Sequence, residues 1–286
     1  MPPLSTTHSQ PPLGSFLLLL ATVYLQLGLW CQWLPAGLTP VVFGVLLIAS
    51  TLGMLLAYWS TPAGLFSLMP MRPVVGIRHP AWHLSLARLA RQLKITPPQL
   101  HQATSPLAVA FALGGSIQRS AIVLEEEFVS ALTQEEVDAI LAHELCHIAL
   151  GHTWRLTLLQ GALIPLLFPL ALILGGILEL VSGRRAWFGS TAHKLLSGLP
   201  YLFFPLTSLL VMMLMRRWEF AADKAAAQLV GKENILATLR CLHGVFMPDA
   251  NWNQLTAFEQ RRFRRLFNYF STHPSIPQRI TTLWRN

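Results

Sequence analysis

The sequence predicts a mostly α-helical integral membrane protein, with transmembrane helices joined to a polar, cytoplasmic α+β domain that carries a small β-sheet. Three observations predict it. Of 286 residues, 53% are hydrophobic and only 12% are charged, about half the charged fraction of an ordinary soluble domain. Apolar stretches of bilayer-crossing length recur along the chain. The regions between and after them are polar and switch between helix-period and strand-period patterns.

In order, residues 1–15 form a Pro/Ser/Thr-rich tail without Lys or Arg. A secretory signal needs a positive n-region, so this tail is not read as one. Residues 16–59 hold two apolar stretches, Phe16 to Leu34 and Val41 to Trp59, separated by a short turn from Pro35 to Pro40. Each has about the 20 residues that a crossing helix needs, and Trp30 and Trp33 close the first like an interfacial belt.

Residues 70–155 change character. Trp82 to Lys94 is an amphipathic pattern, with Leu86, Leu89 and Leu93 apolar and Arg88, Arg91 and Lys94 polar, and Thr96-Pro97-Pro98 is expected to end the helix. Leu107 to Leu113 and Ser120 to Leu124 read as strands of a hairpin around Gly114-Gly115-Ser116. Residues 156–215 bring two more apolar stretches, Leu156 to Val181 and Leu195 to Met215, which read as further transmembrane helices or a membrane hairpin. Pro165 and Pro169 inside the first are tolerated in membrane helices. Residues 216–286 are polar and helical in pattern.

Net charge is +8 and the pI near 10.0. The cations flank apolar spans or sit in the polar regions, so they fit membrane orientation better than nucleic-acid binding. Of the 21 Lys and Arg, only Arg184, Arg185 and Lys194 fall between the third and fourth stretches, and none falls between the first two. The positive-inside rule then places the polar domain and both termini in the cytoplasm of a multi-pass plasma-membrane protein. Cys31, Cys146 and Cys241 are far apart and contain no C-x-x-C, so no disulfide framework is expected.

The chemistry centres on His143-Glu144-Leu145-Cys146-His147, an H-E-x-x-H zinc motif. On a helix its histidines lie about 40° apart around the axis and one turn apart along it, so both imidazoles reach one Zn²⁺. Glu144, beside them and not a ligand, can take a proton from a water there. The helical context is present. Thr133 and Glu136 have capping-box spacing. Val137, Ile140, Leu141, Leu145 and Ile148 follow at helical spacing, and Gly151 suits a terminator. Cys146 reads as a small buried side chain.

A catalytic zinc needs a third protein ligand, and the residues offer two. His152, five after His147, is turned away by about 140° unless the helix breaks. Glu219 and Asp223, at i and i+4 on a second helix, offer one carboxylate for the metal and one for the N–H of a ligand histidine.

The chain resembles the HtpX-like membrane zinc metallopeptidases, relatives of the prenyl-protein endopeptidases, from about residue 80 to the C-terminus. Four elements carry the resemblance: His143 to His147; Glu219-Phe220-Ala221-Ala222-Asp223, similar to E-x-x-A-D; Thr272 to Ile280, similar to H-P-x-x-x-x-R; and Ser105 to Ala112, similar to S-P-x-x-N-A-F-A. Val109 departs from the usual Asn, and Cys146 from a common Gly. The resemblance implies a zincin-like domain, Glu219 as third ligand, Asp223 as its partner in the site, and His273 and Arg279 facing the active site. It implies one Zn²⁺ per chain and a zinc-dependent endopeptidase acting on membrane or misfolded polypeptides in the bilayer. Glu144 is then the general base, with His273 and Arg279 candidates to carry oxyanion charge. The rival readings are a sensor protease that cuts one regulator and a catalytically idle zinc module. The general base Glu144 argues against the latter.

Overall fold

The computed structural model describes residues 13–62, 71–76, 79–103, 110–125, 129, 132–182, 199–200, 202–246 and 274–285. The chain divides into two compact units, Met1–Thr61 with Trp154–Val211, and Pro62–Thr153 with Met212–Asn286.

The first unit is helical. Its helices are α1 (Leu13–Cys31) and α2 (Thr39–Ser60), with most of α5 (His152–Ser182) and the start of α6 (Pro205–Val230). Among the described residues, three segments are long and apolar enough to cross a membrane: Gly14–Cys31, Thr39–Ser60 and His152–Gly175. On α2, Val45, Ile48, Leu52, Leu55 and Leu56 stand exposed, a side-chain surface suited to lipid rather than water. Small residues let α2 and α5 approach closely: a Cβ added at Gly161 would lie 2.7 Å from the Cβ of Ala57 and 2.7 Å from the Gly53 carbonyl oxygen. One buried polar cluster joins α1 to the start of α6. Gln26 donates to Thr207 Oγ1 at 2.6 Å and accepts from the Leu206 amide at 3.0 Å. Pro165 and Pro169 lie inside α5 without ending it. The fourth expected stretch lies partly outside the described residues, and its described end forms the first part of α6.

The second unit is α+β. Its sheet has the order β1-β2-β4-β3, from β1 (Met71–Pro73), β2 (Gln99–Ala103), β3 (Ala110–Gly114) and β4 (Ser120–Glu125). The expected hairpin forms, with Ala110 opposite Leu124 and Gly114 opposite Ser120. Residues 107–109 of the expected strand, Val109 among them, lie outside the described residues. Gly114 is required at the corner, because a Cβ there would sit 2.7 Å from the Arg119 carbonyl oxygen. The local patterns gave no sign that β4 also pairs with β2 in parallel, from Gln99–Ala121 to Ala103–Glu125, or that β1 adds antiparallel to β2.

Helix α3 (Pro80–Gln92) covers part of the expected amphipathic segment but stops before Thr96-Pro97-Pro98. Lys94 takes a left-handed φ of 56° and the Ile95 amide reaches the Ala90 carbonyl, a Schellman-type end without glycine. Against the sheet and α3 packs α4 (Gln134–Ala149), which buries Val137, Leu141, Leu145 and Ile148. Helices α7 (Lys232–Phe246) and α8 (Ile276–Arg285) complete the unit. Ile235, Leu236 and Leu283 join the core with Leu89, Ile122 and Leu124. The opposite sheet face gathers Ala103, Leu113, Ala121 and Val123.

Candidate metal centre

Helix α4 starts where the sequence predicts. Thr133 caps the Glu136 amide and Glu136 caps the Thr133 amide, closing a capping box. The Cys146, Leu145 and Ile148 side chains point into the core. Position i+3 and i+4 geometry therefore leaves His143, Glu144 and His147 on the half-buried side. The second contribution comes from α6, a continuous helix on which Glu219 and Asp223 sit one turn apart and both are buried. The third comes from α8, which supplies Arg279.

These residues converge. His143 Nε2 and His147 Nε2 are 3.1 Å apart. His143 Nε2 lies 3.5 Å from Glu219 Oε2, and His147 Nε2 lies 3.4 Å from Glu219 Oε1. A tetrahedral zinc with ligands at about 2.0–2.1 Å spaces its donors about 3.3 Å apart. The two nitrogens and the Glu219 carboxylate, one oxygen toward each ring, stand near that spacing. Among the described residues, His143, His147 and Glu219 are the group of His, Cys, Asp and Glu side chains whose donor atoms lie within 4.8 Å of one another.

The far sides of the two imidazoles are held as well. Asp223 Oδ1 sits 3.0 Å from His143 Nδ1. His152 Nδ1 sits 3.1 Å from His147 Nδ1. Arg279 grips Asp223 in bidentate fashion, Nε to Oδ2 at 2.8 Å and Nη2 to Oδ1 at 2.5 Å, and places Nη1 3.3 Å from Glu219 Oε2.

The charges follow from these contacts. Burial raises the Asp223 pKa, but hydrogen bonds and charge from Arg279 and His143 outweigh it and hold the carboxyl below its usual range. Burial and Arg279 lower the His143 pKa. Hydrogen bonds to Asp223 and Glu219 and the Asp223 charge overcome both and raise it to about 10. Burial, with the charges of Asp223 and Glu144, pushes the Cys146 thiol up. Cys146 therefore stays protonated and apolar in character, as its position in the core suggests.

The structure brings together His143, His147, Glu219, Asp223 and Arg279, with Glu144 on the same turn of α4. His273 lies outside the described residues. One expectation about His152 needs correction. On a continuing helix it would point away from the site. The helix breaks instead: Gly151 adopts a φ of 72°, and α5 begins at His152. The break swings His152 back onto the outer nitrogen of His147, not into the ligand triangle. The signal was already visible in Gly151, read as a terminator without following where the next residue then goes. Trp218, which stacks on the His152 ring with centroids 4.9 Å apart and planes at 8°, went unread.

Residues 78–285 match the family model described as Peptidase family M48. The chain is 31% identical over 209 residues to Protease HtpX of Aeromonas hydrophila subsp. hydrophila, covering 71% of this chain and 72% of that protein. It is 36% identical over 177 residues to Protease HtpX of Pasteurella multocida, covering 61% of each. The crystal structure of S. mikatae Ste24p aligns with a TM-score of 0.53 at 17% identity, over 92% of this chain. The alignment spans 62% of that longer chain, and the likeness is one of fold.

Proposed function

This chain belongs to peptidase family M48, and from that premise we propose that His143, His147 and Glu219 hold a single Zn²⁺ at which Glu144 drives peptide hydrolysis. The protein is a membrane-bound metalloendopeptidase. The observation that carries the zinc reading is the convergence of two imidazole nitrogens 3.1 Å apart with the Glu219 carboxylate, whose Oε2 and Oε1 lie 3.5 and 3.4 Å from His143 and His147, three protein ligands as a catalytic zinc requires.

A Zn²⁺ held there by His143, His147 and Glu219 would supply a Lewis acid to polarise the substrate carbonyl and an attacking water. Glu144 takes the proton of that water and returns it to the leaving amine. Asp223 fixes the His143 ring. Arg279, bound to Asp223 and Glu219, is assigned to holding those two carboxylates rather than to the oxyanion. The oxyanion contact falls to His273, through a charge-assisted hydrogen bond. His273→Ala should accordingly lower turnover while metal content stays intact, and unchanged turnover removes it from the reaction.

Substrate enters this account through β3. Among the described residues this strand pairs only with β4, and it packs beside α4. An extended peptide added to that edge would be held by its backbone, which admits many sequences. We therefore assign membrane or misfolded polypeptides as the substrates, cut on the cytoplasmic side.

The test is cleavage of casein, or self-cleavage, in detergent, with and without a chelator, beside Glu144→Gln. The variant should keep its metal and lose turnover by a factor of about 10²–10⁴. Near-normal turnover in the metal-loaded variant would end the mechanism.

A further inference from the structure

We propose that His152 is a positioning residue for the metal centre: it accepts a hydrogen bond from Nδ1–H of His147 and so fixes the ring that presents Nε2 to the metal. The inference rests on the zinc reading above and adds a residue to it.

Three observations carry it. The contact is short, with Nδ1 to Nδ1 at 3.1 Å. It falls on the far nitrogen of His147, whose Nε2 is one corner of the donor triangle. A histidine that binds metal through Nε2 carries its ring hydrogen on Nδ1, and an acceptor there sets both tautomer and ring angle. The other ligand histidine has such a partner in Asp223. Without His152, no described contact does the same for His147.

The placement is built rather than incidental. Gly151, with a φ of 72°, ends α4 and starts α5 one residue later. A side chain would make that left-handed turn costly. His152 is 3% exposed, and its ring lies flat against Trp218, the residue immediately before Glu219. One ring thus touches the first ligand helix at His147 and the second at the residue next to its ligand. A displacement of either helix moves His152, which makes it a tie between the two halves of the ligand set.

The role predicts a specific pattern of variants. His152→Phe keeps a flat ring for Trp218 and removes the acceptor. His152→Asn gives up the stack and keeps an acceptor, its Oδ1, near the place of Nδ1. His152→Ala gives up both. Zn²⁺ affinity of the full chain in detergent is measured by competition with a chromophoric chelator, with Glu219→Ala alongside. The Phe and Ala variants should bind Zn²⁺ about 10–100-fold more weakly than the natural chain, and the Asn variant should stay near it. Should the Phe variant not fold, the Ala and Asn pair carries the comparison. Natural affinity in Phe or Ala overturns the proposal, as does an equal loss in Ala and Asn, which would trace to the emptied volume and not to the acceptor. If the natural chain takes up no Zn²⁺, or Glu219→Ala keeps it, the zinc reading itself has failed. If those two behave as expected and the His152 variants do not, only the role of His152 is lost.

Discussion

Asp223 braces His143 from behind: its Oδ1 stands 3.0 Å from Nδ1 of the ring whose Nε2 faces Glu219. The same carboxylate is the main anchor of Arg279. Asp223→Ala should therefore weaken metal binding by about 10–100-fold. It should also destabilise the fold by about 1–3 kcal/mol, because a half-buried guanidinium loses its bidentate partner and is left with Glu219. Asp223→Asn still offers an oxygen to Nδ1–H and should lose less affinity. Chelator competition measures the first effect and thermal unfolding in detergent the second. Unchanged metal affinity in Asp223→Ala would take this carboxylate out of the site.

Metal uptake should depend on pH, with a defined sign. In the metal-free chain His143 holds its proton up to about pH 10, above its ordinary value of 6.5. That charge stabilises the metal-free fold fully below the ordinary value, and the benefit is lost as pH rises through the raised one. A metal needs the neutral ring, so it displaces this proton. Affinity should therefore rise by about tenfold per pH unit between pH 7 and 9, with about one proton released per metal from this residue. Calorimetry in two buffers of different ionisation enthalpy counts the protons. A flat affinity over that range contradicts the assigned charge state.

The parts of the fold that local patterns encode were legible in the sequence. Thr133 and Glu136 announce the start of α4 because a capping box acts within one turn. Val137, Leu141, Leu145 and Ile148 mark its buried face by spacing alone. The hairpin of β3 and β4 is likewise local. The parallel pairing of β2 with β4 was not legible, because nothing in either strand names a partner about twenty residues away. Glu219 and Asp223 were found as an i, i+4 pair, but joining them to His143 required the resemblance to a known family. His152 could not be placed from the sequence, because its direction depends on whether the helix continues through Gly151. A single left-handed residue redirects the chain, and the direction it takes is a property of tertiary packing.

The close approach of α2 and α5 gives a stability test away from the site. A side chain at Gly53 would run into the Gly161 carbonyl oxygen and Pro165 Cγ. Gly53→Leu should therefore destabilise the chain, by about 1–3 kcal/mol or more. Gly44, on the same helix, has nothing within 4 Å of its Cβ position, so Gly44→Leu should be tolerated. Thermal unfolding of both in detergent checks the pair, and equal effects would argue against the small-residue contact.

Orientation rests on the distribution of cations. A reporter fused after Asn286 should read as cytoplasmic. A C-terminal fusion that protease digests from the outer face of intact cells overturns the assignment.

In the proposed centre two helices, one with His143 and His147 and one with Glu219, share a single metal. The most direct measurement is metal content per chain, by elemental mass spectrometry after dialysis against a weak chelator, for the natural chain and Glu219→Ala. The natural chain should retain about one zinc, in keeping with a three-residue catalytic site, and Glu219→Ala should lose most of it. A Glu219→Ala protein that keeps its full complement contradicts the account.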